Sequence, residues 1–356
     1  MDFTEQLLLW YKEKGRSLPW RENRDVYLTW ISEIILQQTR MDQGLAYFNR
    51  FVEAFPDLHA LANASEDQVL RLWQGLGYYT RARNLHEAAK YIHDHMEGSF
   101  PGSSKEWMKM KGVGPYTAAA IASIAFDEPV PAIDGNVYRI LARIFAIREP
   151  IDTQAGKKTF QEVAEQLMPV RHPGDFNQAM MDFGSLVCRP ANPLCNECFY
   201  FYNCLARLQN AVAEYPVKRP KKPARNRYFN YFFFFQHLTG EEVAFFVKKR
   251  ASRDIWKNMY ELPLLETVQE LEESDMLKDW WWAKHFDIQQ QLVFYAEPAT
   301  VKHQLTHQTI YARLYQVRVD KVMAALLSKR YVKVNKEAFE GMAKPRLIER
   351  LLKKVV

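Results

Sequence analysis

The sequence predicts two domains of different class, an all-α region of about 200 residues followed by an α+β domain of about 120. Three observations predict this. Apolar residues recur at three-to-four spacing through the first 210 residues, and few runs there alternate with period two. The composition then changes at Glu214–Arg227, EYPVKRPKKPARNR, which holds three prolines and six basic residues. Beyond it, aromatic strand-like runs such as YFNYFFFFQH take over.

The helical pattern covers Thr4–Lys14, Val26–Gln38, Ala46–Ala54, Glu66–Leu72, Ala82–His95 and Thr117–Phe126, and a further helix runs from Asp134 through Phe145. Turn residues punctuate it at Pro56, Gly75 with Gly77, Gly98 to Gly102 and Gly112 to Pro115. Residues 1–213 therefore form the helical domain, 214–227 a basic linker, and 228–356 the second domain. In the second domain strands are expected at Tyr228–His237, Glu242–Lys248, Gln291–Ala296 and Thr309–Val319, with a closing helix over Lys344–Val356.

A net charge of +6 and a pI near 8.9 permit nucleic-acid binding without requiring it. The N-terminus MDFTEQLLLWYKEKGR carries acids and no long apolar core, so it does not read as a signal peptide. No run approaches the ~18 apolar residues of a membrane helix. The expected location is cytoplasmic.

All four cysteines fall between Cys188 and Cys204, spaced Cys188-x6-Cys195-x2-Cys198-x5-Cys204. Such clustering favours a metal site over a disulfide framework. Only Cys195 and Cys198 form a CxxC knuckle, which suits a 4Fe–4S cluster better than zinc. A structural zinc or four free thiols are the alternatives.

The stretch K-G-V-G-P-Y, Lys111 to Tyr116, feeds a helix through two glycines, an arrangement that lets backbone N–H groups approach an anion. Helices lie on both sides of it, so it is neither a Rossmann turn nor a P-loop. Together with L-P-W-R (Leu18–Arg21), S-E-I-I-L-Q-Q-T (Ser32–Thr39), G-L-G-Y-Y (Gly75–Tyr79), R-A-R-N-L (Arg81–Leu85), I-D-G-N-V (Ile133–Val137) and the cysteine loop, it carries a resemblance. The chain resembles the helix–hairpin–helix DNA glycosylases of the endonuclease III superfamily, and more narrowly the adenine DNA glycosylases of the MutY type. W-K-N-M-Y-E-L-P (Trp256–Pro263) and H-Q-L-T-H (His303–His307) resemble that family's Nudix-like C-terminal domain. The Nudix hydrolase box is missing, so pyrophosphatase activity is not expected.

The resemblance implies a six-helix barrel lobe and an iron–sulfur lobe, with one 4Fe–4S cluster on the loop 188–204. It also implies a chemistry that the residues suit. Breaking the bond between a purine and its sugar needs a proton donor for the departing base and a carboxylate for the oxocarbenium-like sugar. Glu33, flanked by Ile34, Ile35 and Leu36, suits the acid, because an apolar setting raises a carboxyl pKa. Taken alone it also fits a surface glutamate on an amphipathic helix. Asp134 stands at a helix N-cap, where a carboxylate stays ionised, and capping is its plainer explanation. By resemblance Glu33 protonates adenine, Asp134 stabilises the cation, and Asn136 holds Asp134 or positions water.

The remaining assignments also follow from the resemblance. Gly112 and Gly114 bind a DNA phosphate without reading sequence. Tyr116 replaces the lysine that bifunctional relatives use for a Schiff base, and is expected to hydrogen-bond Asp134 and shield the cation. Gln38 and Tyr78 enter the duplex as the adenine flips out. Arg16, Leu18, Trp20, Arg21 and Gln178 line the adenine pocket. Leu305, Thr306 and His307 read an 8-oxoguanine opposite, with Leu305 departing from the family's aromatic residue. The expected substrate is duplex DNA with A paired to 8-oxoguanine or G, bound by a monomer whose linker is open to other repair proteins. The rivals are a bifunctional glycosylase/lyase and a non-catalytic iron–sulfur DNA-binding protein.

Overall fold

The computed structural model describes residues 2–37, 39, 41–220, 223–237, 243–251, 254–276, 278, 281–282, 294 and 296–355. Contacts divide it into two compact units. One is Met1–Ala64 with Arg83–Lys221, the other Ser65–Ala82 with Lys222–Val356.

The first unit is helical. Its elements in chain order are α1 (Phe3–Lys14), α2 (Val26–Leu36), α3 (Met41–Ala54) and α4 (Leu58–Asn63). After α5 (Glu66–Leu72), which groups with the other unit, come α6 (Thr80–His95), α7 (Ser104–Trp107), α8 (Pro115–Phe126) and α9 (Gly135–Phe145). Then follow α10 (Gln154–Leu167), α11 (Pro173–Leu186) and α12 (Leu205–Leu208). Short polar side chains start many of them: Asp2, Asp25, Asp57, Ser103, Asp134 and Thr153 each accept a backbone N–H from the first turn.

The helix α2 is apolar on almost every side and buries eight of its eleven residues, as a central helix must. It packs on α3 and α8, while α11 packs on α1, α8 and α9. The small residues of α8, Ala118, Ala119, Ala120 and Ala122, allow that close approach. The core continues to the cysteine loop, where Phe199 and Tyr200 pack on Phe3 of α1.

Among the described residues the second unit is built on a seven-stranded sheet. Its strands are β1 (Arg225–His237), β2 (Val243–Lys249), β3 (Tyr260–Glu261), β4 (Leu264–Thr267), β5 (Ala299–Gln304), β6 (Gln308–Arg318) and β7 (Val332–Asn335). β1 runs parallel to β6 along its length, and β5 pairs antiparallel with β6. The run Phe232–Phe235 is apolar at every position because both faces of the sheet are covered. Phe232 and Phe234 meet Trp282 and Tyr315, while Phe233 and Phe235 face the other way, with Phe245 and Phe339 joining Phe233 there. A closing helix forms at Arg346–Leu352.

Two expectations shift. The basic segment 214–227 was read as a tether, yet β1 already begins at Arg225. Arg227 is buried and paired with both Asp254 and Glu266, so its charge serves the fold rather than a polyanion. Arg219 bonds Asp152, which fastens the first half of the segment to the helical unit. The strand expected at Gln291–Ala296 lies largely outside the described residues; within it Phe294 bridges Val317. In the second unit Lys249 pairs with Asp67 at 2.7 Å and Asn258 donates to Glu66 at 2.6 Å, which attaches α5 to the sheet. Among the described residues no helix is long and apolar enough to cross a membrane.

Candidate active site

Inside the helical unit, α2, α8, α9 and α11 converge on a cavity of about 220 Å³. That is below the roughly 300–1,000 Å³ of sites for drug-sized ligands, and it suits a single flat ring system. Glu33, Tyr116, Asp134, Asn136 and Gln178 line it.

Glu33 is carried inside by the apolar faces of α2 and is only 8% exposed. Burial raises its carboxyl to about 7, against the pull of a hydrogen bond with the Tyr116 phenol. The charge of Asp134 pushes it further up and that of Arg21 opposes. Near neutrality Glu33 can therefore carry a proton and release it.

Asp134 is the N-cap of α9. Its Oδ1 accepts from the N–H groups of Asn136 and Val137, both at 2.8 Å, and its Oδ2 accepts from the Asn136 amide at 2.7 Å. Burial lifts this carboxyl above its ordinary 3.8, while those donors and the charge of Arg139 hold it down. A carboxyl that receives three N–H donors is favoured as the anion. The two carboxyls thus sit in opposed settings, an acid kept neutral by apolar burial and an anion held by donors.

Asn136 is itself held. Its Oδ1 accepts from Arg139 at 2.8 Å, and Arg139 also donates to the carbonyls of Gly184 at 2.6 Å and Cys188 at 2.7 Å. Gly184 is required by the close approach of α11, since a Cβ there would lie 2.5 Å from the Asn136 Cβ.

Tyr116 departs from its expected partner. Its phenol donates to Met181 Sδ at 3.1 Å rather than to Asp134, and it lies near enough to the Glu33 carboxyl for each group to shift the other. The acceptor positions of Asp134 are taken by its own helix, and the phenol faces α2. Burial raises the phenol well above 10, so it stays protonated. It can receive a hydrogen bond from protonated Glu33 and donate one once Glu33 has lost its proton.

Of the five predicted pocket residues, Arg16, Trp20, Arg21 and Gln178 line the cavity. Leu18 is buried and is not on the lining; its carbonyl accepts from Arg21 in the turn Pro19–Arg21. Asp182 escaped the sequence reading as a site residue. It is fully buried and accepts from the backbone and guanidinium of Arg16 and from both terminal nitrogens of Arg21. Burial alone would lift it, but these donors hold its carboxyl below 3.8. Gln178, Met181, Asp182 and Ser185 recur at three and four residues along α11, and that spacing was the available signal.

At the hairpin, Gly112 has φ +78°, the left-handed region that glycine tolerates. Gly114 is the N-cap of α8, with no side chain capping that end. In the first turn of α8 Pro115 has no N–H and Ala118 donates to the Gly114 carbonyl, which leaves the N–H groups of Tyr116 and Thr117 outside the helix's own hydrogen bonds. Gln38 lies outside the described residues.

In the second unit, Leu305–His307 is the turn between β5 and β6, with Thr306 and His307 exposed. The Tyr78 phenol hydrogen-bonds the Thr306 hydroxyl. Tyr78 has φ +47°, a strained value for a tyrosine, at the tip of a tight turn.

Cys188, Cys195, Cys198 and Cys204 line one small cavity with Arg143, Phe201 and Arg207. The Cys198 thiol is pushed up to about 12 by burial, opposed by a backbone N–H at Tyr200 and reinforced by the other three sulfurs. Among the described residues no three His, Cys, Asp or Glu side chains are set to hold a single metal ion. The structure gathers the four predicted cysteines around one cavity.

Comparison with known proteins identifies the family of both domains. Residues 31–166 match the family model described as HhH-GPD superfamily base excision DNA repair protein, and residues 236–354 match the NUDIX domain. The chain is 34% identical over 321 residues to an adenine DNA glycosylase of Buchnera aphidicola subsp. Baizongia pistaciae, covering 90% of this chain and 87% of that protein. It is 35% identical over 266 residues to the adenine DNA glycosylase of Buchnera aphidicola subsp. Schizaphis graminum, covering 74% and 75%. A solved structure of a thermostable thymine-DNA glycosylase superposes with a TM-score of 0.54 at 27% identity, over 58% of this chain and 95% of that one.

Proposed function

The chain belongs to the adenine DNA glycosylases, and on that premise we propose that it excises adenine paired with 8-oxoguanine and leaves the strand uncut. It is a hydrolase of the N-glycosidic bond in base excision repair of A mispairs. The observation that carries the finer reading is the Glu33–Tyr116–Asp134 group around one base-sized cavity.

The adenine must leave the stack to reach that cavity. Protonated Glu33 delivers its proton to the departing base, which makes a poor leaving group a better one. Tyr116 then donates to the ionised Glu33. Positive charge develops on the sugar, and Asp134, held as an anion by its helix, stabilises it. Asn136 keeps the aspartate aimed. Water completes the hydrolysis. A phenol at position 116 cannot form an imine with the opened sugar, so the reaction stops at the abasic site. The first-turn N–H groups of α8, reached through Gly112 and Gly114, clamp a phosphate of the bound duplex.

Cys188, Cys195, Cys198 and Cys204 are the proposed ligands of one 4Fe–4S cluster. These four thiolates would hold the cluster, and a group ligated by them would supply a structural rather than a catalytic centre.

Incubation with a duplex bearing A opposite 8-oxoguanine is expected to give strand scission only after alkali treatment. Scission without alkali would overturn the monofunctional reading. In the lesion loop, Thr306→Ala with His307→Ala is expected to cut the preference for 8-oxoguanine over guanine roughly tenfold, through lost hydrogen bonds. Excision from A:G pairs should change little. An unchanged preference would remove the role assigned to this turn.

A further inference from the structure

The Gln178 amide lines the cavity and presents a donor and an acceptor that a half-turn about its last bond would exchange. Something must choose between the two orientations if the amide is to tell one base from another. Tyr11 of α1 touches it: the Tyr11 phenol meets Gln178 Oε1 at 2.6 Å, across 167 residues of sequence.

That distance falls within the range of O–H···O bonds, and is shorter than N–H···O bonds reach, so the contact is a phenol donating to the amide oxygen. The other side of the phenol agrees. Arg21 Nη1 approaches the same oxygen at 3.4 Å, and a guanidinium can only donate. The phenol oxygen therefore accepts from Arg21 and turns its own proton toward Gln178. Arg21 is in turn fixed by the buried Asp182, at 2.8 and 3.0 Å. Burial raises the phenol above its ordinary 10, so the proton it needs is always present.

We infer that Tyr11 is a positioning residue for base selection: it occupies one lone pair of the Gln178 amide oxygen and so fixes the amide, leaving the second lone pair and the NH2 group as a set acceptor–donor pair that complements adenine's 6-amine and a neighbouring ring nitrogen. Tyr11 does not line the cavity; the two lining residues it touches are Gln178 and Arg21, and the Gln178→Ala background isolates the part that runs through the amide. This rests on the reading of Gln178 as an adenine contact. Adenine carries an amine at the six position, a donor. Hypoxanthine carries a carbonyl there, an acceptor, and its neighbouring ring nitrogen is reversed as well. A locked amide distinguishes the two, whereas a freely turning amide adapts to either.

The test is a double-mutant cycle read by single-turnover excision of adenine and of hypoxanthine, each opposite guanine. Tyr11→Phe keeps the ring and removes only the hydroxyl. It is expected to narrow the adenine-over-hypoxanthine ratio roughly tenfold. In the Gln178→Ala background the same Tyr11→Phe change should leave the ratio unmoved. Equal losses on both bases from Tyr11→Phe would make Tyr11 a packing residue and overturn the inference, as would additive effects in the double variant. A Gln178→Ala enzyme with the native ratio would instead overturn the pocket reading itself, and the inference with it.

Discussion

Glu33→Gln is expected to lower adenine excision by about 10²–10⁴-fold, the usual contribution of a positioned proton donor. Gln keeps the volume and the hydrogen-bonding partner of Glu33 but has no proton to give. The native enzyme should show the same dependence through pH. With its carboxyl at about 7, Glu33 is protonated below that value and loses its proton above it. The single-turnover rate is therefore expected to fall about tenfold per pH unit above 7. On the acid side the rate should fall as Asp134 gains a proton, at a pH above its ordinary 3.8. In Glu33→Gln the alkaline limb near 7 should vanish from whatever activity remains. A limb that persists unchanged would assign it to another group.

Stability should move the other way. The folded-state pKa of Glu33 is raised, so the folded protein holds a proton that the unfolded chain releases near 4.5. Stability is thus lost as pH rises from about 4.5 through 7, where the buried carboxylate must ionise. Above that window Glu33→Gln is expected to be the more stable protein, by on the order of 3 kcal/mol at most. Thermal melts of the two proteins at pH 4 and pH 8 would show the gain growing from little at pH 4 to nearly its full size at pH 8.

Asp134→Asn is expected to cost about 10²–10³-fold in excision, the scale of removing one aimed electrostatic group. The fold should hardly notice. Asn caps helices about as well as Asp, and its single oxygen can still accept from the N–H groups of Asn136 and Val137. The strain falls on Asn136. Its amide now donates to Asp134 Oδ2, and an amide nitrogen placed there cannot accept. Arg139 holds the Asn136 oxygen and prevents a compensating turn. Circular dichroism melts near the native midpoint, together with lost base release, would separate catalysis from capping. A melt lowered as far as activity is lost would show that Asp134 acts as a cap alone.

Much of this was readable along the chain. Glu33 lies in an apolar run that alone also fits a surface position; the resemblance singled it out, and α2 buries it. Asp134 before Gly135 and Asn136 read as an N-cap, and it is one. The four aromatic residues Phe232–Phe235 announced a strand, and the structure adds that both faces of it are covered. Where the reading missed, the missing information was a partner. Arg227 looked like part of a solvated basic run because Asp254 and Glu266 are 27 and 39 residues away. The grouping of α5 with the sheet rests on Asp67 and Lys249, 182 residues apart.

Resemblance to the family supplied the pairing of Glu33 with Asp134 and the meaning of a tyrosine at position 116; the sequence by itself determined the helical and mixed domains, the N-cap at Asp134 and the four clustered cysteines. These are local properties, set by periodicity, capping chemistry and residue identity at one position. Only the tertiary structure decided that the Tyr116 phenol donates to Met181, beside Glu33, instead of to Asp134. It also revealed that Asp182 clamps two arginines, that Arg139 joins Asn136 to the carbonyl of Cys188, and that Tyr11 orients Gln178. Each of these is a choice among hydrogen-bond partners, and a donor is matched to its acceptor only once packing has brought distant segments within about 3 Å.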